Sequence, residues 1–109
     1  MSDQKVLVGY KVVSPNMESC TEGNGSVQYG QFWTQPKRNC GPLCLYSTLR
    51  DVENFIWLLG WRGPPRVFRC WYVPSKQTAI WESGGNKLRA DIPFSTVLAD
   101  SVYLGKELK

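Results

Sequence analysis

Residues 39–60 read NCGPLCLYSTLRDVENFIWLLG, a short apolar run that passes almost directly into a helical one. Leu49, Val52, Phe55, Ile56 and Leu59 recur at the three-and-four spacing that lines side chains along one face of a helix. Arg50, Glu53 and Asn54 fall off that stripe, while Trp57 sits beside it and is expected in the core. Thr48 offers a capping hydroxyl, and Asp51, three residues later, approximates the acidic partner of a capping box. Gly60 is a natural stop. Pro64 and Pro65 then forbid continuation, because proline has no amide hydrogen to donate and its ring clashes with the preceding turn. The spacing predicts one amphipathic helix over residues 48–59, entered from the short strand LCLYS.

Downstream, RVFRCWYVP (residues 66–74) sets Phe68, Cys70 and Tyr72 on one face and Val67, Arg69, Trp71 and Val73 on the other. A strand apolar on nearly both faces belongs at the centre of a sheet or under cover on both sides. Upstream, KVLVGYKVVSP (residues 5–15) is a strand with Val6, Val8, Tyr10 and Val12 in phase and a mixed opposite face of Leu7, Gly9, Lys11 and Val13. A polar loop over residues 16–26 leads to SVQYGQFW (residues 26–33), a second strand in which Gly30 marks a bulge or a close backbone approach. TAIWES (residues 78–83) reads as a further strand, ended by Gly84, Gly85 and Asn86. Residues 92–108 permit a helix, but their Ser, Thr and Val content, with Gly105, favours strand with a kink. Together these segments predict an α+β domain: a mostly antiparallel sheet of about five to six strands, with the single helix packed on one face. The connection through the helix is long enough for either a parallel crossover or an antiparallel return.

With 109 residues the chain is read as a single domain spanning residues 1–109. Its 42% hydrophobic and 20% charged residues are ordinary for a folded protein, whereas five Trp, five Tyr and four Phe are many, and rings supply much burial per residue. No stretch approaches the ~20 apolar residues of a membrane span. The N-terminal MSDQKVLVGYK lacks the apolar core of a secretion signal, so a soluble cytoplasmic protein with reduced thiols is expected. The net charge is +4. The excess falls between Lys37 and Arg69, where Lys37, Arg38, Arg50, Arg62, Arg66 and Arg69 face only Asp51 and Glu53.

Histidine is absent, which removes the usual general base near neutral pH and the commonest metal ligand. Cys20, Cys40, Cys44 and Cys70 are not spaced as two close pairs, so a structural zinc site is not expected, nor any cofactor. Three residues, not two, separate Cys40 from Cys44, unlike a redox motif. Free buried thiols are the expectation, with Cys70 in the core between Phe68 and Tyr72. The carboxylates are scattered; Glu82, beside Trp81, is the candidate acid, and Tyr10 a second catalytic candidate. The glycine runs at residues 23–25 and 84–86 read as turns, since neither opens a helix behind a strand as a phosphate-binding loop does. Rings next to cations form the other constellation: Trp33 precedes Lys37 and Arg38, Trp61 adjoins Arg62, and Arg69 alternates with Trp71.

LYSTLRDVENFIWL followed by RVFRCWYV, about a third of the chain, resembles the strand, Ser/Thr-capped helix and strand of ADP-ribosyltransferase-like folds. That resemblance implies a His-Tyr-Glu or an Arg-Ser-Glu catalytic set. The former cannot be built without histidine, and no position here is assigned to the latter. The first functional expectation is accordingly a non-catalytic binding or interaction module recognising a small molecule or protein. It would use exposed aromatic and basic residues, namely Trp33, Lys37, Arg38, Trp61, Arg62 and Arg66. The alternatives are a histidine-free enzyme of degenerate ADP-ribosyltransferase-like fold using Glu82 or Tyr10, and, less favoured, a nucleic-acid-binding domain. A homo-oligomer fits the first reading, and a membrane partner fits none.

Overall fold

The computed structural model of the 109-residue chain describes residues 5–18, 27–36, 42–59, 65–77, 81–82, 86–87 and 96–108. In chain order the elements are β1 (Leu7–Val13), β2 (Leu43–Tyr46), α1 (Leu49–Leu59), β3 (Arg66–Pro74), β4 (Trp81–Glu82), β5 (Asn86–Lys87) and β6 (Thr96–Glu107). Four of them close into a small antiparallel barrel in the order β1–β2–β6–β3. The fold is therefore α+β and mostly sheet. β4 and β5 form a separate two-stranded ladder.

β3 lies between β1 and β6, which suits its two apolar faces. Its inward face, Phe68, Cys70 and Tyr72, joins Val13, Leu43, Leu45, Val102 and Leu104 in the buried interior, with Tyr29 from the preceding loop. β2 and β3 are each antiparallel to β1 and so run parallel to each other. The connection through α1 is thus a parallel crossover, a point that its length alone left open.

Closure depends on β6. Residues 96–99 pair with β2, while residues 99–107 pair with β3. Two irregularities let one strand serve both walls. Val73 faces Ser101 but Pro74 faces Ala99, which leaves Asp100 as an extra residue. Phe68 faces Glu107 and Cys70 faces Leu104, so Arg69 opposes both Gly105 and Lys106. Each extra residue bends the strand and increases its twist. The shifts also explain why Ala99, Val102 and Leu104 are all buried although their numbering breaks simple alternation.

The seam between β1 and β2 is the thin part of the wall, with Tyr10↔Tyr46 as its one registered pair among the described residues. From outside, Val52 of α1 is buried with Val12, Tyr46 and Val67, and Ile56 and Tyr10 pack against the same cluster. From inside, Lys11 reaches across: its Nζ donates to the Cys44 carbonyl at 2.5 Å and lies 4.6 Å from the centre of the Tyr29 ring. At its start α1 is capped by Thr48, whose Oγ1 accepts from the Asp51 amide at 3.1 Å and donates to Asp51 Oδ2 at 2.9 Å. A cap of this kind contributes about 1 kcal/mol.

Several expectations are corrected. Residues 27–33 are not a strand: Gln28 bridges to Glu18 and Thr34 to Val102, so the two ends of the segment turn to different partners and no continuous ladder forms. Trp57 is 81% exposed rather than in the core, and Leu49 is 42% exposed. A helix meets the convex outside of a barrel along a narrow line, so Val52 and Ile56 face the cluster while Leu49 and Trp57 stay wet. On β1, whose facing the alternation left open, Gly9, Lys11 and Val13 are buried inside and Val12 is buried with Val52 of α1, while Leu7 and Val8 are exposed. Of the strand expected over residues 78–83, Trp81 and Glu82 form β4, and the others lie outside the described residues.

Candidate functional site

The outer face of the barrel carries a row of rings. Trp71 on β3 stands opposite Tyr103 on β6. Beyond β6 the chain around Thr34 is docked by backbone hydrogen bonds: Leu104 N to Gly30 O at 3.1 Å, Thr34 N to Val102 O at 2.8 Å and Val102 N to Thr34 O at 2.9 Å. This docking sets Trp33 next to Tyr103. The Trp33 and Tyr103 ring centres are 5.6 Å apart with planes at 66°, and those of Trp71 and Tyr103 are 5.9 Å apart at 67°. Both pairs are edge-to-face, the arrangement that the ring quadrupoles favour. On the other side Val8 of β1, itself exposed, faces Trp71 in register.

Gly105 makes room for this row. A Cβ at that position would lie 3.0 Å from Trp71 Cζ3, 3.3 Å from its Cη2 and 3.1 Å from the Arg69 carbonyl. The indole therefore rests where any other residue would project. Even so packed, Trp33 and Trp71 are 46% and 45% exposed, and Phe32 beside Trp33 is exposed as well.

Cations flank the row. Arg69, two residues before Trp71 on the outward face of β3, is exposed, and Lys106, in the bulge opposite it, is exposed too. Lys5, ahead of β1, is exposed, as is Asp100 in the other bulge. Arg66 is held differently: its Nε and Nη2 donate to the two Glu107 carboxylate oxygens at 2.9 and 2.7 Å, and its guanidinium lies 5.3 Å from the Phe68 ring centre. These hydrogen bonds hold the Glu107 carboxyl below its ordinary value. The pair links the start of β3 to the end of β6.

Of the residues singled out in the sequence, Trp33 is brought into the row, and Arg66 is paired with Glu107. Tyr10 is half-buried against Val12, Tyr46, Val52 and Val67. Glu82 belongs to β4, its side chain outside the described part, and Lys37, Arg38, Trp61 and Arg62 lie outside the described residues. Tyr103 and Trp71 complete the row. Alternation had placed Trp71 with Arg69, but only the register of the bulged β6 brings Tyr103 between the two indoles.

The interior holds further titratable groups, Lys11 and Cys70. Burial pushes the Cys70 thiol up to about 12, against smaller opposing effects of the Lys11 charge and a hydrogen bond with the Gly9 backbone. A thiol so protonated is no nucleophile near neutral pH. Because its folded value lies above the unfolded one, the contribution to stability is complete below about pH 9 and is lost as the pH rises towards 12. Stability is expected to fall by about 1.4 kcal/mol between pH 8 and pH 10 from this group, and the loss should be absent in Cys70→Ala; denaturant titrations at the two pH values measure it. An equal alkaline loss in the variant would assign it to other groups. Cys44 is also buried, and Cys20 and Cys40 lie outside the described residues. Among the described residues no three His, Cys, Asp or Glu side chains are grouped to hold a metal, and no helix is long and apolar enough to cross a membrane. In comparisons with known proteins, no family model, no curated protein and no solved structure matches this chain.

Proposed function

We propose that this protein is a non-catalytic binding module that recognises its partner through the row Trp33–Tyr103–Trp71. The observation carrying this reading is that two half-exposed indoles are braced against one tyrosine on a closed barrel. Exposed aromatic surface offers a large area to a partner, and rings already fixed in place lose little rotamer freedom on binding. The barrel core is filled from the opposite face. Against catalysis weighs the interior chemistry: Lys11 and Cys70 are sealed from solvent, and Tyr10 packs under α1.

A thermal-shift screen against sugars, nucleotides, oligonucleotides and short peptides tests this reading, because a ligand that binds only the native state raises its melting temperature. A hit is expected that shifts the wild type and does not shift the double variant Trp33→Ala, Trp71→Ala. Hits that shift both proteins equally would remove the row from recognition.

A further inference from the structure

We infer that the occupant of the ring row is a single-stranded nucleic acid, its bases stacking on Trp33, Tyr103 and Trp71 and its phosphates running past Arg69 and Lys106; this rests on the binding-module reading above. Three features select that chemistry. The rings come from adjacent backbone segments, so they follow one another across the sheet at 5.6 and 5.9 Å, a sequence of π-surfaces rather than one isolated pocket. Every base offers a π-face, so such a series accepts a strand without reading its sequence. The flank is cationic: the bulge sets Lys106 opposite Arg69, two residues along β3 from Trp71. The acid nearest to that flank in register, Glu107, is already bonded to Arg66 by two hydrogen bonds. Finally, the chain as a whole is basic, with net charge +4 and an isoelectric point near 9.0, which favours a polyanion over a neutral or acidic peptide.

A duplex fits this surface poorly, because its bases are already stacked on one another and present only edges to a ring. Asp100, exposed in the other bulge, lies on the opposite flank and gives the strand a side to avoid. The backbone is therefore directed along the Arg69 and Lys106 side. Lys5, ahead of β1, and Lys76, after β3, are exposed as well, but the register puts them towards the Asp100 end of the row, away from Arg69 and Lys106.

Fluorescence anisotropy with labelled oligo(dT) and oligo(rU) of roughly 12 nucleotides, and with a duplex of equal length, tests the inference. Both single strands are expected to bind more tightly than the duplex. Their log K should fall against log salt with a slope of about −1.4 for the two phosphate contacts at Arg69 and Lys106. Trp33→Ala and Trp71→Ala should each weaken binding by about 5- to 150-fold, the range for one lost stacking partner. Arg69→Gln should weaken it uniformly and reduce the slope by about 0.7. Trp71→Phe, which keeps a ring, guards against misreading a folding defect and should retain most of the affinity. Trp57→Ala on α1 should change nothing.

Absence of single-strand binding at low salt overturns the inference, as does equal or tighter duplex binding, or affinity indifferent to both tryptophan substitutions. Should sedimentation show a dimer that Trp71→Ala dissolves, a second copy of this chain occupies the row. The nucleic-acid inference then fails while the binding-module reading survives. The same separation follows if a sugar or peptide in the thermal-shift screen depends on the rings and the oligonucleotides do not.

Discussion

Gly9→Val is expected to cost about 3 kcal/mol or more and to lower the thermal midpoint by about 12–20 °C. Gly9 faces the interior where β1 approaches β2. A Cβ there would lie 2.5 Å from Leu45 Cδ1, 2.9 Å from the Tyr46 carbonyl and 3.1 Å from Tyr72 Cε1. Leu45 is fully buried, so a displaced Leu45 methyl is pushed against other core side chains. The Tyr46 carbonyl belongs to a strand whose other edge is fixed, because Tyr46 pairs with Thr96 of β6. Neither neighbour can retreat without opening the seam, and the two γ-methyls of valine add to the conflict. Gly9→Ala should lie between the wild type and the valine variant. Denaturant unfolding measures both, and a valine variant within about 1 kcal/mol of the wild type would mean that the seam is not closed as described.

Lys11→Ala should follow closely, at about 3–4 kcal/mol. Lys11 is only 3% exposed and bridges the β1–β2 seam to the Cys44 carbonyl. Truncation removes three methylenes at about 0.8 kcal/mol each and leaves a cavity that the rigid wall cannot fill. It also strips the Cys44 carbonyl of this donor at a point where β1 and β2 share little ladder. Lys11→Met separates the stem from the charge. Methionine restores most of the volume and removes a buried cation, so its cost should be near 1 kcal/mol, the residual being the lost hydrogen bond. If methionine proves as damaging as alanine, the ammonium with its bond to Cys44 and its place over the Tyr29 ring holds the seam, and packing of the stem does not.

What could be read from the sequence follows from which signals are local. The helix was legible because spacing, the Thr48 cap and the Gly60 and proline stop are all contained in one short stretch. β3 announced its central place through two apolar faces, and the Ser, Thr and Val content of the tail pointed to β6. Closure was not legible, since it depends on two extra residues in β6 whose effect appears only in register with β2 and β3. The direction in which β1 faces was hidden for a related reason. Alternation gave two faces and no choice between them, and the interior takes the one with a glycine and a lysine that finds a carbonyl and a ring. Trp57 misled because helical spacing cannot report the curvature of the surface on which a helix lies. In the candidate site, Trp33 carried a sequence signal as a ring near cations. Tyr103 carried none, because its neighbours in the row are far away in the chain.

The double duty of β6 governs the order in which this chain can acquire its shape. While the ribosome has yet to release residues 96–107, β2 has one registered partner residue on β1 and nothing on its other side. The β1–β3 ladder can form in that interval, but it is an open ribbon whose inner surface, Lys11 and Cys70 included, stays hydrated. Pairings so distant along the chain are slow to nucleate, and an unclosed ribbon exposes edges that other nascent chains can join. Docking of β6 converts the ribbon into a vessel, so a released chain cut before Thr96 should be protease-sensitive and one that keeps residues 96–107 resistant.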